Sequence, residues 1–218
     1  MMQVHRNLGR SGNVPRQVDY EERRRRIAES VCTLIARSGM DAVSLRDVAA
    51  EAEVSMGAVQ RCFRTKEDML LFALEHISQG VTERANQRIA AASDPRSAST
   101  LLSHTLAELA LLDEESRTHA HAWLAFTAHA PASAKLAAVL RDTYAKLDDL
   151  LCWLIRYGQD TREIPPHIDP RREARTLLAL AEGLTVHVLA GHRTPAEATA
   201  VLQRHTGPLL RHTAPGGD

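Results

Sequence analysis

From Asp19 onward apolar side chains recur every three or four positions, and beyond Lys66 no stretch carries a strand signal, so the pattern predicts helices along the chain. The first carries Ile27, Val31, Leu34 and Ile35 and stops at Ser38-Gly39. Ser44 then caps a second helix. Asp47, three residues on, can reach back to it in a capping box, and Leu45, Val48, Ala49 and Ala52 form one apolar face that ends near Glu53. Val54 can plug the turn into the core. Ser55 caps a third helix with Ala58, Val59 and Phe63 facing inward, and Thr65 with Asp68 opens a fourth that has Lys66 in its first turn.

The fourth helix is predicted to be long, from Lys66 to about Ala92, with Met69, Leu70, Phe72, Ala73, Ile77 and Val81 placed for burial. Ser93-Asp94-Pro95 breaks it, because proline cannot continue a preceding helix. Helices follow over Ser97 to Leu112 and Ser116 to His129, and Pro131 is read as the start of another that reaches about Tyr157 on a broad apolar stripe. Residues 158–169 form the clearest long loop. Asp169-Pro170 opens a helix to Ala190, and after a short turn at Gly191 to Arg193 a capping box at Thr194 to Glu197 opens the last.

Two short capped helices joined by a tight turn, with a third beginning just beyond, are the layout of a helix-turn-helix. The outer side of the second short helix displays Met56, Gly57, Gln60 and Arg61. A helix fits the major groove, where arginine can bond guanine O6 and N7 and glutamine can bond adenine N6 and N7. Lys66 in the first turn of the following helix suits a phosphate.

In these residues the chain resembles the TetR-type one-component repressors: Ser44-Leu45-Arg46-Asp47-Val48-Ala49, then Val54-Ser55-Met56-Gly57, then Phe63 and Lys66. The resemblance covers about residues 20–75. It departs at Glu53, where the family has Gly and where a positive φ costs about 1 kcal/mol, and at Gln60, where the family has a phosphate-contacting Tyr. The resemblance implies an all-α protein, with an N-terminal three-helix DNA-binding head and a larger helical ligand-binding and dimerisation domain. The expected segments are a flexible arm over 1–18, the head over 19–66, the larger domain over 67–212 and a loose tail over 213–218. DNA contacts are expected from Ser44, Arg46, Ser55, Met56, Gly57, Gln60, Arg61 and Lys66. Pairing through the last two helices is implied, with Leu177, Leu180, Ala181, Leu184, Val188, Ala198, Val201, Leu202 and His205 at the interface. Such a homodimer would set two recognition helices about 34–36 Å apart on a pseudo-palindromic operator of double-stranded DNA.

Charge narrows where DNA could bind. The 218 residues carry 27 basic and 27 acidic groups, so no global basic field exists and any DNA-binding surface is local. Residues 1–40 supply it, with eight arginines (6, 10, 16, 23, 24, 25, 26 and 37) against Asp19, Glu21, Glu22 and Glu29. Cys32, Cys62 and Cys152 are odd in number and show no CxxC spacing, which argues against a disulfide frame and for a reducing, cytoplasmic setting. Neither a signal-type apolar core nor a bilayer-spanning run is present, so no membrane partner is expected.

An unknown small-molecule effector is expected among the middle helices, where Phe72, His76, His104, His119, Trp123, Phe126, Tyr144, Glu182 and His187 supply aromatic and polar groups. Eleven histidines raise the question of metal sensing, but His119 and His121 fall on different helix faces and no i, i+4 clamp exists, so no metal site is expected. With no nucleophile elbow, phosphate loop or dinucleotide fingerprint, neither catalysis nor a cofactor is expected. The reading is therefore a ligand-responsive, sequence-specific DNA-binding regulator, a repressor released by its effector. Its competitor is a helical small-molecule-binding protein that has lost DNA recognition, with Glu53 and Gln60 as the relevant departures.

Overall fold

The computed structural model describes residues 14–210, with side chains from residue 19 onward. These residues form nine α-helices and no strand: α1 (Val14–Ser38), α2 (Leu45–Glu51), α3 (Met56–Cys62), α4 (Lys66–Ala91), α5 (Ala98–Leu109), α6 (Arg117–His129), α7 (Ala134–Asp160), α8 (Pro170–Leu189) and α9 (Pro195–Leu209). The all-helical expectation holds. None of the described helices is long and apolar enough to cross a membrane.

Several boundaries differ from the sequence reading for local reasons. α1 is already helical at Val14, upstream of Asp19; the rest of the expected arm and the tail lie outside the described residues. Pro131 does not start α7. It sits in a 3₁₀ turn over Ala130–Ala132, and Ser133 caps α7 by accepting the Leu136 N–H at 3.2 Å. The Ser44 hydroxyl accepts the Asp47 N–H at 3.2 Å, but the Asp47 carboxylate takes the Ser44 hydroxyl at 2.6 Å instead of its backbone, so the box closes through side chains. At Thr194 both halves of the box form.

Burial organises the chain into two apolar cores. The first gathers Ile27, Val31 and Ile35 of α1 with Val48, Val59 and Phe63, and continues into Met69, Leu74 and Ile77 of α4, Phe126 of α6 and Leu136 and Leu140 of α7. It therefore crosses the boundary expected at residue 66, and the head is packed on the body by shared core rather than by a linker. The second joins Leu102 and Leu106 of α5, Leu151 and Ile155 of α7, Leu177 and Ala181 of α8 and Leu202 of α9. Tyr144 packs against both.

Two polar clamps set the attitude of the connecting helices. Glu108 of α5, only 1% exposed, lies 2.8 Å from Arg84 Nε and 2.6 Å from Arg88 Nε of α4, and Arg88 also reaches Asp113 at 3.0 Å. A buried carboxylate needs such partners to stay charged. Ser97 does not cap α5 with its own side chain. Glu163, in the loop after α7, does so from a distance, accepting the Ala98 N–H at 2.8 Å, the Ser99 N–H at 2.9 Å and the Ser97 hydroxyl at 2.6 Å.

Candidate functional site

Helix α3, the second of the two short helices, is held from its inner side only. The Ser55 hydroxyl accepts the Ala58 N–H at 3.1 Å, and Ala58, Val59 and Phe63 are buried. Met56 stands 49% exposed, Gln60 and Arg61 are exposed, and Gly57 leaves the intervening surface low. The turn before it forms although it lacks glycine: Glu53 takes φ 54°, the left-handed conformation required there. The departure at Glu53 therefore costs strain while the turn keeps a left-handed residue at that position.

Arg46, Arg61 and Lys66 are exposed and make no ion pair among the described residues, and Ser44 and Ser55 open the two short helices beside them. Arg64, which sequence reasoning did not single out, is exposed between Arg61 and Lys66 and also lacks an ion pair among the described residues. A linear pattern search passes over a residue in the three-residue connection Phe63 to Thr65 because it belongs to neither helix face. The α1 arginines divide their work: Arg23 pairs with Asp19 at 3.0 Å, while Arg24 lies 4.0 Å from the Phe72 ring centroid and 5.3 Å from that of Phe63. Phe63 and Phe72 are themselves 5.3 Å apart. One cation thus fastens the end of α3 to α1 and α4.

Phe72 also belongs to a second site. A cavity of about 1170 Å³ opens among α4, α5, α6, α7 and α8, lined mainly by apolar groups such as Leu101, Leu109, Leu147 and Trp123. Charged groups line it too: Arg24, Lys135 and Lys146, with Asp68, Glu75, Asp142 and Glu182. The Trp123 indole N–H donates to Glu182 Oε1 at 3.2 Å and the Tyr144 hydroxyl to the same atom at 2.6 Å, and no cation pairs with this carboxylate among the described residues. Burial and then the Glu182 hydrogen bond push the Tyr144 phenol well above its usual range, so it stays a donor.

Of the residues expected to hold an effector, Phe72, Trp123 and Glu182 line the cavity and Tyr144 joins it through Glu182. Phe126 does not: it is 0% exposed, inside the first core, because its helix turns that face toward α1 and α7. His104 is half-buried on α5 outside the lining, and His187 is exposed, edge-on to His192. His76 and His119 instead converge on Glu29 of α1.

The expected interface is corrected in a similar way. Leu177, Ala181, Leu184, Ala198 and Leu202 are buried within the single chain, where they build the second core, and so have no surface for a partner. Leu180, Val188 and Val201 pack partly on the same core, and His205 is exposed but bonded to Glu173 at 2.9 Å. The opposite side of α8 exposes Ala179, Gly183 and Val186, beside Leu150 and Trp153 of α7. An apolar stripe identifies the face that is buried first, and here that face goes to the chain's own core.

Comparison with known proteins agrees with this geometry. Residues 28–72 match the family described as bacterial regulatory proteins of the tetR family, and residues 98–211 match the C-terminal domain of BetI-type transcriptional repressors. The HTH-type transcriptional regulator PksA of Bacillus subtilis (strain 168) is 30% identical over 177 residues, 81% of this chain and 83% of that protein. The crystal structure of a TetR-family transcriptional regulator from Rhodococcus sp. superposes with a TM-score of 0.77 at 26% identity, covering 87% of this chain and 99% of that one. A transcriptional regulator from Saccharomonospora viridis, solved in complex with choline, superposes at 0.74 with 27% identity, over 86% of this chain and 96% of that one.

Proposed function

The chain belongs to the TetR family of bacterial regulatory proteins, and from that premise we propose a homodimeric repressor released from its operator by a small organic cation. Arg61 and Gln60 read base edges in the major groove, while Ser44, Arg46, Ser55, Arg64 and Lys66 take phosphates and Met56 and Gly57 give the close approach. The exposed Ala179, Gly183 and Val186 side of α8 meets its two-fold copy, where small residues let helices approach closely. The protein acts by binding rather than catalysis.

The observation that carries the effector class is the Glu182 carboxylate, which accepts from two neutral donors and pairs with no cation among the described residues, although Arg24, Lys135 and Lys146 line other parts of the same mainly apolar cavity. A partly buried anion of this kind is stabilised by a positive ligand, and the Trp123 ring beside it can take a quaternary ammonium or amine on its face, whereas the Phe72 ring already carries Arg24. The Saccharomonospora viridis relative with bound choline supports the same class. Release follows from Phe72, which faces the cavity and touches Phe63 at the end of α3. A cation that binds more tightly when Phe72 is displaced favours heads that no longer match the operator.

The test is a gel shift on DNA upstream of the protein's own gene, titrated with choline and with its neutral carbon isostere. Choline should displace the protein and the isostere should not. Glu182→Gln should weaken the response roughly 10- to 100-fold while leaving operator affinity intact. Equal responses to the cation and the isostere would remove the electrostatic basis of the reading.

A further inference from the structure

We propose that Glu29, His76 and His119 form a binding site for a divalent transition metal of the zinc type, taking one ligand from each of α1, α4 and α6 where the DNA-binding head meets the body. His76 Nε2 and His119 Nε2 lie 3.0 and 2.9 Å from the same atom, Glu29 Oε2, and the three ligand atoms all fall within 4.8 Å of one another. Zinc bonds of about 2.0–2.2 Å at tetrahedral angles put ligand atoms roughly 3.3 Å apart, so each histidine needs to open by less than about half an ångström from Glu29. The two imidazoles are already nearly perpendicular, at 84° with centroids 5.9 Å apart.

The chemistry of the donors suits the ion. Two imidazoles and a carboxylate make a three-ligand zinc set that leaves a fourth position for water. Glu29 is half-exposed, which provides an entry path, while the two histidines are more enclosed. Hydrogen bonds from His119 and then His76 hold the Glu29 carboxyl below the usual carboxylate range in spite of its burial. Cys32, one turn along α1, does not compete, since burial and the Glu29 charge push its thiol up and keep it protonated.

One feature sets the strength. His119 Nδ1 is buried without a hydrogen-bond partner, whereas a metal-bound histidine ordinarily donates its second N–H. That omission weakens a site by about 10- to 100-fold, which suits reversible sensing rather than a permanent structural ion. An ion held here fastens α1 directly to α4 and α6 and limits how far the head can swing.

Full-length protein stripped with a chelator should take up one Zn²⁺ per chain by equilibrium dialysis and melt at higher temperature when it does. Co²⁺ in the same place should give the intense visible bands of four-coordinate cobalt. His76→Gln and His119→Gln keep a donor toward Glu29 and so protect the fold while removing the imidazole, and each should lower metal affinity at least tenfold. His192→Ala, which touches the other histidine pair, should bind as the parent does. Uptake unchanged in the double glutamine variant would put the metal elsewhere and overturn the proposal, as would the absence of saturable uptake by the parent.

Discussion

Tyr144 and Glu182 face each other across α7 and α8, the phenol donating to the carboxylate at 2.6 Å. Because burial and this bond raise the phenol's pKa above its ordinary value of 10, the folded protein holds the Tyr144 proton after an unfolded chain would release it. The contribution to stability is fully present below pH 10 and is lost as pH rises past the unfolded value. Tyr144→Phe should therefore flatten the alkaline limb of a stability-against-pH curve measured with urea. An alkaline limb as steep as the parent's would mean that Tyr144 titrates normally.

The recognition helix makes separable predictions. Arg61→Ala should cost about 1–3 kcal/mol of specific operator binding and relax preference at one base position. Lys66→Ala should weaken binding to all sequences alike and lower the slope of log K against log salt by about 1. Gel shifts over a salt series distinguish the two, and a salt slope unchanged in Lys66→Ala would take that residue off the phosphate backbone.

Arg84→Met removes the more enclosed partner of a carboxylate that is nearly inaccessible to water. Only Arg88, half-exposed, remains to compensate it. The expected loss is about 3 kcal/mol in chemical denaturation. Glu108→Gln in the same background should recover part of it, because the uncompensated buried charge is then gone.

Glu163 supplies the acid counterpart. Burial raises its pKa, but the hydrogen bonds from Ser97, Ser99 and Ala98 outweigh that and leave it below 4.5. Its stabilisation is thus present above pH 4.5 and fades as pH falls below it. In Glu163→Gln the acid limb of the melting curve should be shallower, read by circular dichroism across the pH range 3 to 7 or so.

Glu53→Gly relieves a side chain from φ 54°. Part of the gain is offset by the greater freedom of glycine in the unfolded chain, so the variant should be more stable by at most about 1 kcal/mol. Operator binding should be unaffected, since the turn already has the required shape.

The DNA-binding head was legible because its information is local. Ser44, Ser55 and Thr65 cap helices through N–H groups three residues away, and Val48, Val59 and Phe63 announce their buried side by spacing alone. The histidines show the opposite case. His76 and His119 stand 47 and 90 residues from Glu29, and a search for pairs one turn apart on a single helix cannot find ligands contributed one each by three helices.

The sequence by itself determined where the helices run, the caps at Ser44, Ser55, Thr65 and Thr194 and the outward face of α3, because each depends on contacts within a turn or two of chain. The tertiary structure alone decided that Phe126 and Leu177 go to the core, that Glu182 gathers Trp123 and Tyr144, and that Glu29 gathers two histidines. The reason is geometric: periodicity says that a helix has an apolar side, but the partner of that side is set by how several helices pack at once, and residues far apart in sequence meet only when they do.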